Sequence, residues 1–148
     1  MRIVLDTTYL LPIVGVELVG MNIEDMRSVL ASGHSLMLNE VSLFEILGKV
    51  CPVVAEDEES RKRVETGLKA IMNSDRLTIL SVIDEETLPV ALDLMCRGMR
   101  DIPDVPIVAS ALVHADSLMT EAKDIPAFLR RMGSSLQVFD LKGFRNKR

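Results

Sequence analysis

The 148-residue sequence has no tryptophan, one tyrosine and four phenylalanines. With aromatics at 3% of the chain, a platform for stacking several bases is hard to assemble. Cysteine is scarce too. Cys51 and Cys96 stand far apart and neither belongs to a CxxC pair, which excludes zinc ribbons and thioredoxin-type chemistry. Both thiols are expected to be buried as small apolar side chains in a reducing cytoplasm. Histidine is limited to the isolated His34 and His114. No apolar run reaches the roughly 20 residues that cross a bilayer. Asp6 falls where a signal peptide would carry its apolar stretch. A cytoplasmic protein with no membrane partner is therefore expected. Neither GxxxxGK[ST] nor GxGxxG occurs, so nucleoside-triphosphate and dinucleotide sites have no sequence support. Positive charge is in deficit: 17 Lys and Arg against 22 Asp and Glu leave a net charge of −5. That balance argues against a broad basic face for duplex DNA, while leaving room for a local basic strip.

Hydrophobic residues make up 48% of the chain, which excludes disorder over most of it. Its length suits one domain that folds without a disulfide or metal staple. Short apolar, partly β-branched runs alternate with helical periodicity. Strands are expected over 3–5, 35–38, 76–80, 117–120 and 136–139. Residues 7–11 suggest a strand passing into a short helix. Further helices are expected from Asn22 to Gly33, and from Glu40 to about Val50, where Pro52 ends the latter. Val41, Phe44 and Leu47 have the spacing of that helix's buried face. Others run from the acidic stretch 56–60 to about Asn73, from Asp84 to Cys96 or Met99, over 105–113, and over 125–132 before Gly133. Strands alternating with helices along the chain predict a three-layer α/β/α sandwich around a central, mostly parallel sheet of about five strands. Residues 1–141 form this single domain. Residues 142–148 form a basic tail whose Lys142, Arg145, Lys147 and Arg148 are the candidates for RNA backbone contact, or else a frayed solubilising end.

In parallel sheets ligands sit beyond the carboxyl ends of the strands. Asp6 directly follows the first strand, Glu45 lies inside the helix after the second, and Asp104 opens the most apolar helix. Thr120, Glu121 and Asp124 follow the fourth strand. Any one of these acids could be a solvated helix cap. Glu45, however, lies between Phe44 and Ile46. A lone carboxylate buried there would cost several kcal/mol unless paired, protonated or bound to metal. Carboxylates without histidine or thiolate partners favour hard cations such as Mg²⁺ or Mn²⁺. A cation held by converging acids can activate water and brace the leaving oxygen of a phosphodiester.

Four segments, taken in order, resemble the successive motifs of PIN domains. They are Leu5-Asp6-Thr7-Thr8-Tyr9-Leu10, Val41-Ser42-Leu43-Phe44-Glu45-Ile46, Asp104-Val105-Pro106-Ile107-Val108-Ala109-Ser110-Ala111 and Leu118-Met119-Thr120. The resemblance spans residues 1–139. PIN domains are metal-dependent nucleases, and their commonest small prokaryotic form is the VapC-type ribonuclease toxin, neutralised by a paired antitoxin. The resemblance therefore implies an RNA substrate, a paired antitoxin, a homodimer, and cleavage to 5′-phosphate and 3′-hydroxyl ends. It implies Mg²⁺ or Mn²⁺ held by the catalytic acids Asp6, Glu45 and Asp104. Thr7 or Thr8 would orient ligands, with Ser42, Thr120 and Asp101 in support. One departure stands out. The family's last motif is Thr-x-Asp, and Ala122 occupies the acid's place. Either the fourth ligand is absent, or Asp124 or Glu121 supplies it. Asp124 reads better as the N-cap of the next helix, and Glu121 better as a solvent-facing side chain. The alternative to an active enzyme is a PIN-like scaffold that binds RNA or protein without cleaving.

Remaining features have plainer readings. Met95 and Met99, four apart, would share a helix face. His34 falls in an exposed turn, His114 closes a helix, and Arg61-Lys62-Arg63 is a solvated helix face.

Overall fold

Ile3, Val4 and Leu5 have no exposed surface, although successive residues of a strand face opposite sides of its sheet. Such a strand must be covered on both faces. It is β1 (Arg2–Leu5), the centre of a five-stranded sheet of order β3-β2-β1-β4-β5 in which every pairing is parallel. Its companions are β2 (Ser35–Asn39), β3 (Leu77–Leu80), β4 (Ser117–Met119) and β5 (Gln137–Phe139). Ile3 lies beside Leu36 of β2 on one side and Ser117 of β4 on the other. The computed structural model describes residues 1–146.

Parallel neighbours need crossover connections, and helices supply them here. On one face Ile3 and Leu5 pack with Met26 of α1 (Ile23–Leu30), Ile46 of α2 (Val41–Val54) and Ile71 of α3 (Glu58–Met72). On the other, Val4 and Leu118 pack with Leu94 of α4 (Thr87–Cys96), Val108 of α5 (Asp104–His114) and Leu129 of α6 (Asp124–Arg131). This is the three-layer α/β/α sandwich that the alternating pattern predicts. Among the described residues no helix is long and apolar enough to cross a membrane.

Several local expectations are corrected. Residues Thr7–Val14 form one 3₁₀ helix with Pro12 inside it, closed by Gly15 at a φ of 85°. Pro52 does not end α2. It sits in the last turn, where its missing N–H frees only the carbonyl of exposed Gly48. The buried face of α2 is Ser42, Ile46 and Val50, while Phe44 and Leu47 are 73% and 46% exposed. Both rows have helical spacing; the contact of Ser42 with Thr7 selects the first. Cys51 and Cys96 are exposed rather than buried, because each lies on the outer side of its helix. Met95 is exposed on α4, whereas Met99 is buried beyond that helix's end. His34 is half-buried, its ring meeting Phe144 edge-on at 5.9 Å. Far from fraying, the start of the tail is helical: α7 (Leu141–Asn146) buries Leu141 and Phe144 in the first core. Lys147 and Arg148 lie outside the described residues.

Candidate active site

From β1 the chain builds outward through β2 to β3, then returns to lay β4 on the other flank of β1. A reversal of this kind opens a crevice at the carboxyl ends of the two strands that flank it. Asp6 follows β1 and Thr120 follows β4, so both stand at that crevice. The Thr120 hydroxyl donates to Asp6 Oδ2 at 2.7 Å and accepts from the Ala122 N–H at 3.0 Å. One Asp6 oxygen is thereby held in a set direction. Asp6 is 8% exposed, and this burial pushes its carboxyl above the usual range. The Thr120 hydrogen bond opposes the rise, the Glu45 charge adds to it, and the Lys49 charge opposes it more weakly.

Glu45 reaches the same place from α2. The Thr7 hydroxyl donates to Glu45 Oε2 and pairs with Ser42 Oγ at 3.0 Å. Lys49 Nζ, one turn further along, lies 2.6 Å from Glu45 Oε1. The carboxylate that sequence alone leaves buried and unexplained thus has a hydroxyl and an ammonium as partners.

Asp104 arrives from α5, which it opens after Pro103. Burial pushes its carboxyl up to about 7, and the charges of Asp101, Asp6, Glu45 and Asp124 add to the rise in that order. Five carboxylates from four segments therefore share one electrostatic neighbourhood. Asp124 is in the first turn of α6, where Lys123 occupies the cap position without a capping side-chain bond. The Asp124 carboxylate is left free of capping and lies on a cavity wall with Asp101 and Asp104.

Other candidates are placed elsewhere. Glu121 accepts from the Tyr9 hydroxyl at 2.6 Å and from the Leu141 N–H at 3.1 Å, tying the 3₁₀ helix to the start of α7. Burial and this carboxylate keep the Tyr9 phenol protonated well above its ordinary range. Thr8 lines a separate cavity of about 400 Å³ with Glu121, Asp140, Lys142 and Arg145. Arg145 is paired with Asp25. His114 ends α5 beside Asp84, at 3.2 Å.

Two further positions brace these acids beyond what residue type alone shows. Asn39 has no exposed surface; its Nδ2 donates to Ser81 O at 2.9 Å and Ser110 Oγ at 2.8 Å, and its Oδ1 accepts from the Val41 N–H at 2.9 Å. It thereby locks the start of α2 to α5, the helices that carry Glu45 and Asp104. Lys49 could have been found from its i,i+4 spacing to Glu45.

The donor set around Asp6 is all oxygen, the chemistry of a hard divalent cation. Yet among the described residues no three Asp, Glu, His or Cys side chains are arranged ready to enclose an ion. Asp6 is turned toward Thr120, and Glu45 toward Thr7 and Lys49. The residues fit such a cation in kind, and closing them around one requires Glu45 and Lys49 to part.

No protein-family model and no curated protein matches the chain. Solved structures do match in shape. A chain of VapBC2 from Rickettsia felis, bound to a DNA fragment from its promoter, superposes with a TM-score of 0.63 at 13% identity, covering 95% of this chain and 98% of that one. A chain of FitAcB from Neisseria gonorrhoeae gives 0.67 at 15% identity, covering 94% and 97%. A chain of a toxin–antitoxin complex from Klebsiella pneumoniae gives 0.57 at 13% identity, covering 93% and 96%. At these identities the likeness shows the fold alone, a PIN-like α/β fold.

Proposed function

We propose that this chain is a metal-dependent ribonuclease of the PIN type and the toxin of a toxin–antitoxin pair. The observation that carries the reading is the meeting of Asp6, Glu45 and Asp104 from three separate elements, close enough that the first two help hold the Asp104 carboxyl up to about 7. Isolated caps would not act on one another in this way. Placement at the crevice where the strand order reverses, and a shared fold with chains of toxin–antitoxin complexes, support the same reading.

Mg²⁺ or Mn²⁺ bound among these acids would polarise the phosphodiester and ease ionisation of the attacking water. The chain's own residues prepare for this. Thr120 orients Asp6, and Thr7 with Ser42 orients Glu45. Asp104 holds a proton near neutrality and gives it up when positive charge enters the crevice. Asp124, two residues beyond Ala122, supplies the fourth acid from the first turn of α6. On α4 the exposed row Leu88, Leu92 and Met95 would be covered by a second copy of the chain.

A second reading, a scaffold that no longer cleaves, is favoured by Ala122 and by the Lys49 ammonium standing against Glu45. Calorimetric titration with Mn²⁺, beside cleavage of a structured RNA, separates the two. The ribonuclease reading expects Mn²⁺ binding, Mn²⁺-dependent cleavage and loss of cleavage in Asp6→Asn with the fold retained. Equal cleavage by Asp6→Asn and wild type would reject the site; no binding and no cleavage at millimolar Mn²⁺ would leave the scaffold.

A further inference from the structure

Between the turn after α4 and helix α6 lies a cavity of about 290 Å³ that shares Asp104 with the acidic crevice. Its walls carry Arg100, Asp101, Asp104, Asp124, Phe128 and Arg131. The surroundings of the two arginines are unusual. Three carboxylates share the cavity, yet neither guanidinium forms an ion pair among the described residues, whereas neighbouring Arg97 is held by Asp93 at 2.8 Å. Arg131 instead lies over the Phe128 ring, with Cζ 5.8 Å from its centroid. A guanidinium fork left without a carboxylate is free to take a phosphate. A guanidinium plane backed by an aromatic ring offers a surface for one base.

Size and charge narrow the occupant. The cavity is at the lower end of the range of roughly 300–1,000 Å³ found for small-molecule sites, enough for one nucleotide unit and too small for a duplex. Asp101, Asp104 and Asp124 repel phosphate, so among the charged residues lining this cavity only Arg100 and Arg131 can receive one. The chain's low aromatic content fits this arrangement, since one ring serves one base.

We propose that this cavity is the subsite for the nucleotide beside the cleaved bond of a single-stranded RNA, with Arg100 taking its phosphate and the Arg131–Phe128 stack its base. The proposal rests on the ribonuclease reading and deepens it by naming where the strand lies. It is tested by fluorescence anisotropy with a labelled single-stranded RNA, across a range of salt, on the full chain carrying Asp6→Asn to prevent cleavage. Adding Arg100→Gln and Arg131→Gln together should weaken binding at least tenfold and flatten the logarithmic salt dependence by about 0.7, the value for the one phosphate contact to a single strand that Arg100 makes. Phe128→Leu should weaken binding by about tenfold with the salt slope unchanged. Mn²⁺ titration of the arginine variant in the Asp6-containing chain should show binding at least as tight as wild type, since two positive charges beside Asp104 are gone, which verifies the fold and the acids independently. If the arginine variant binds RNA with wild-type affinity and slope, the subsite is wrong, even where wild type cleaves RNA. Conversely, a weakened arginine variant in a chain that neither binds Mn²⁺ nor cleaves would keep the subsite and overturn the ribonuclease.

Discussion

Lys49 Nζ lies 2.6 Å from Glu45 Oε1, one helical turn away on α2, and its charge also reaches the buried carboxyl of Asp6. The pair is partly exposed, so it adds little to stability. Its consequence is local: the ammonium is a tethered counter-charge at the place where a divalent cation would bind. Lys49→Met should therefore tighten Mn²⁺ binding by about three- to tenfold, the effect of one charge a few ångströms away at a high effective dielectric. Isothermal calorimetry reads this directly. A weaker affinity in the variant would mean that Lys49 assists the site instead of competing for it.

Asp104 makes the metal-free protein sensitive to pH in an uncommon direction. Its folded carboxyl titrates at about 7 against an ordinary 3.8, so between those values the folded state holds a proton that the unfolded state has lost. Stability then falls as pH rises from 3.8 to about 7. Asp6, raised mainly by burial, acts in the same sense. The hydrogen-bonded carboxyls of Asp25, Asp57, Asp84 and Asp116 are shifted down and act only below the ordinary carboxylate range, outside this window. Urea denaturation in chelator should thus show wild type less stable near pH 7 than near pH 5, with the decline reduced in Asp104→Asn. A decline of the same size in the variant would assign it to other groups.

Gly67 is where α3 meets the 3₁₀ helix. A Cβ at this position would stand 2.5 Å from the carbonyl oxygen of Ile13 and 2.7 Å from the Cα of Val14. Both are backbone atoms, which cannot swing aside. Gly67→Ala gains helix propensity, yet the overlap should outweigh it and cost on the order of 1–3 kcal/mol. The measurement is the denaturation midpoint. Gly48→Ala, with nothing within 4 Å of the added carbon, is the control and should be neutral or stabilising.

The layers and the sheet were legible because β1 is apolar from Ile3 to Leu5 and helices separate every strand from the next. Asp6 was legible for the same reason, as an acid directly after a core strand. Less could be read where two answers obey one rule. The rows Val41-Phe44-Leu47 and Ser42-Ile46-Val50 both have helical spacing, and the choice between them is made by Thr7, 35 residues from Ser42 in sequence. Pro52 lies inside α2 because a proline ends a helix only where its lost donor matters. Asn39 reads from its residue type as the cap of α2, and its Oδ1 does accept from the Val41 N–H, but its tie to α5 is hidden because Ser81 and Ser110 are brought to it by the fold alone.

Glu121 and Asp124 are the two candidates to replace the acid missing at Ala122, and the geometry separates them. Glu121 is occupied by the Tyr9 hydroxyl and the Leu141 N–H, at 2.6 and 3.1 Å. Asp124 makes no capping bond on α6 and adds its charge to the field around Asp104. Asp124→Asn should accordingly weaken Mn²⁺ binding by about tenfold, the lower end of what disturbing a metal site's supporting groups costs. It should also ease the ionisation of Asp104, because one of the charges raising it is gone. Glu121→Gln should leave Mn²⁺ affinity unchanged and destabilise the fold by about 1–3 kcal/mol, through the weakened hydrogen bond to a fully buried tyrosine. Tyr9→Phe should lower stability in the same way and likewise spare metal binding. Were Glu121→Gln to abolish Mn²⁺ binding at unchanged stability, the fourth acid would be Glu121, and the Tyr9 contact would have to open when metal enters.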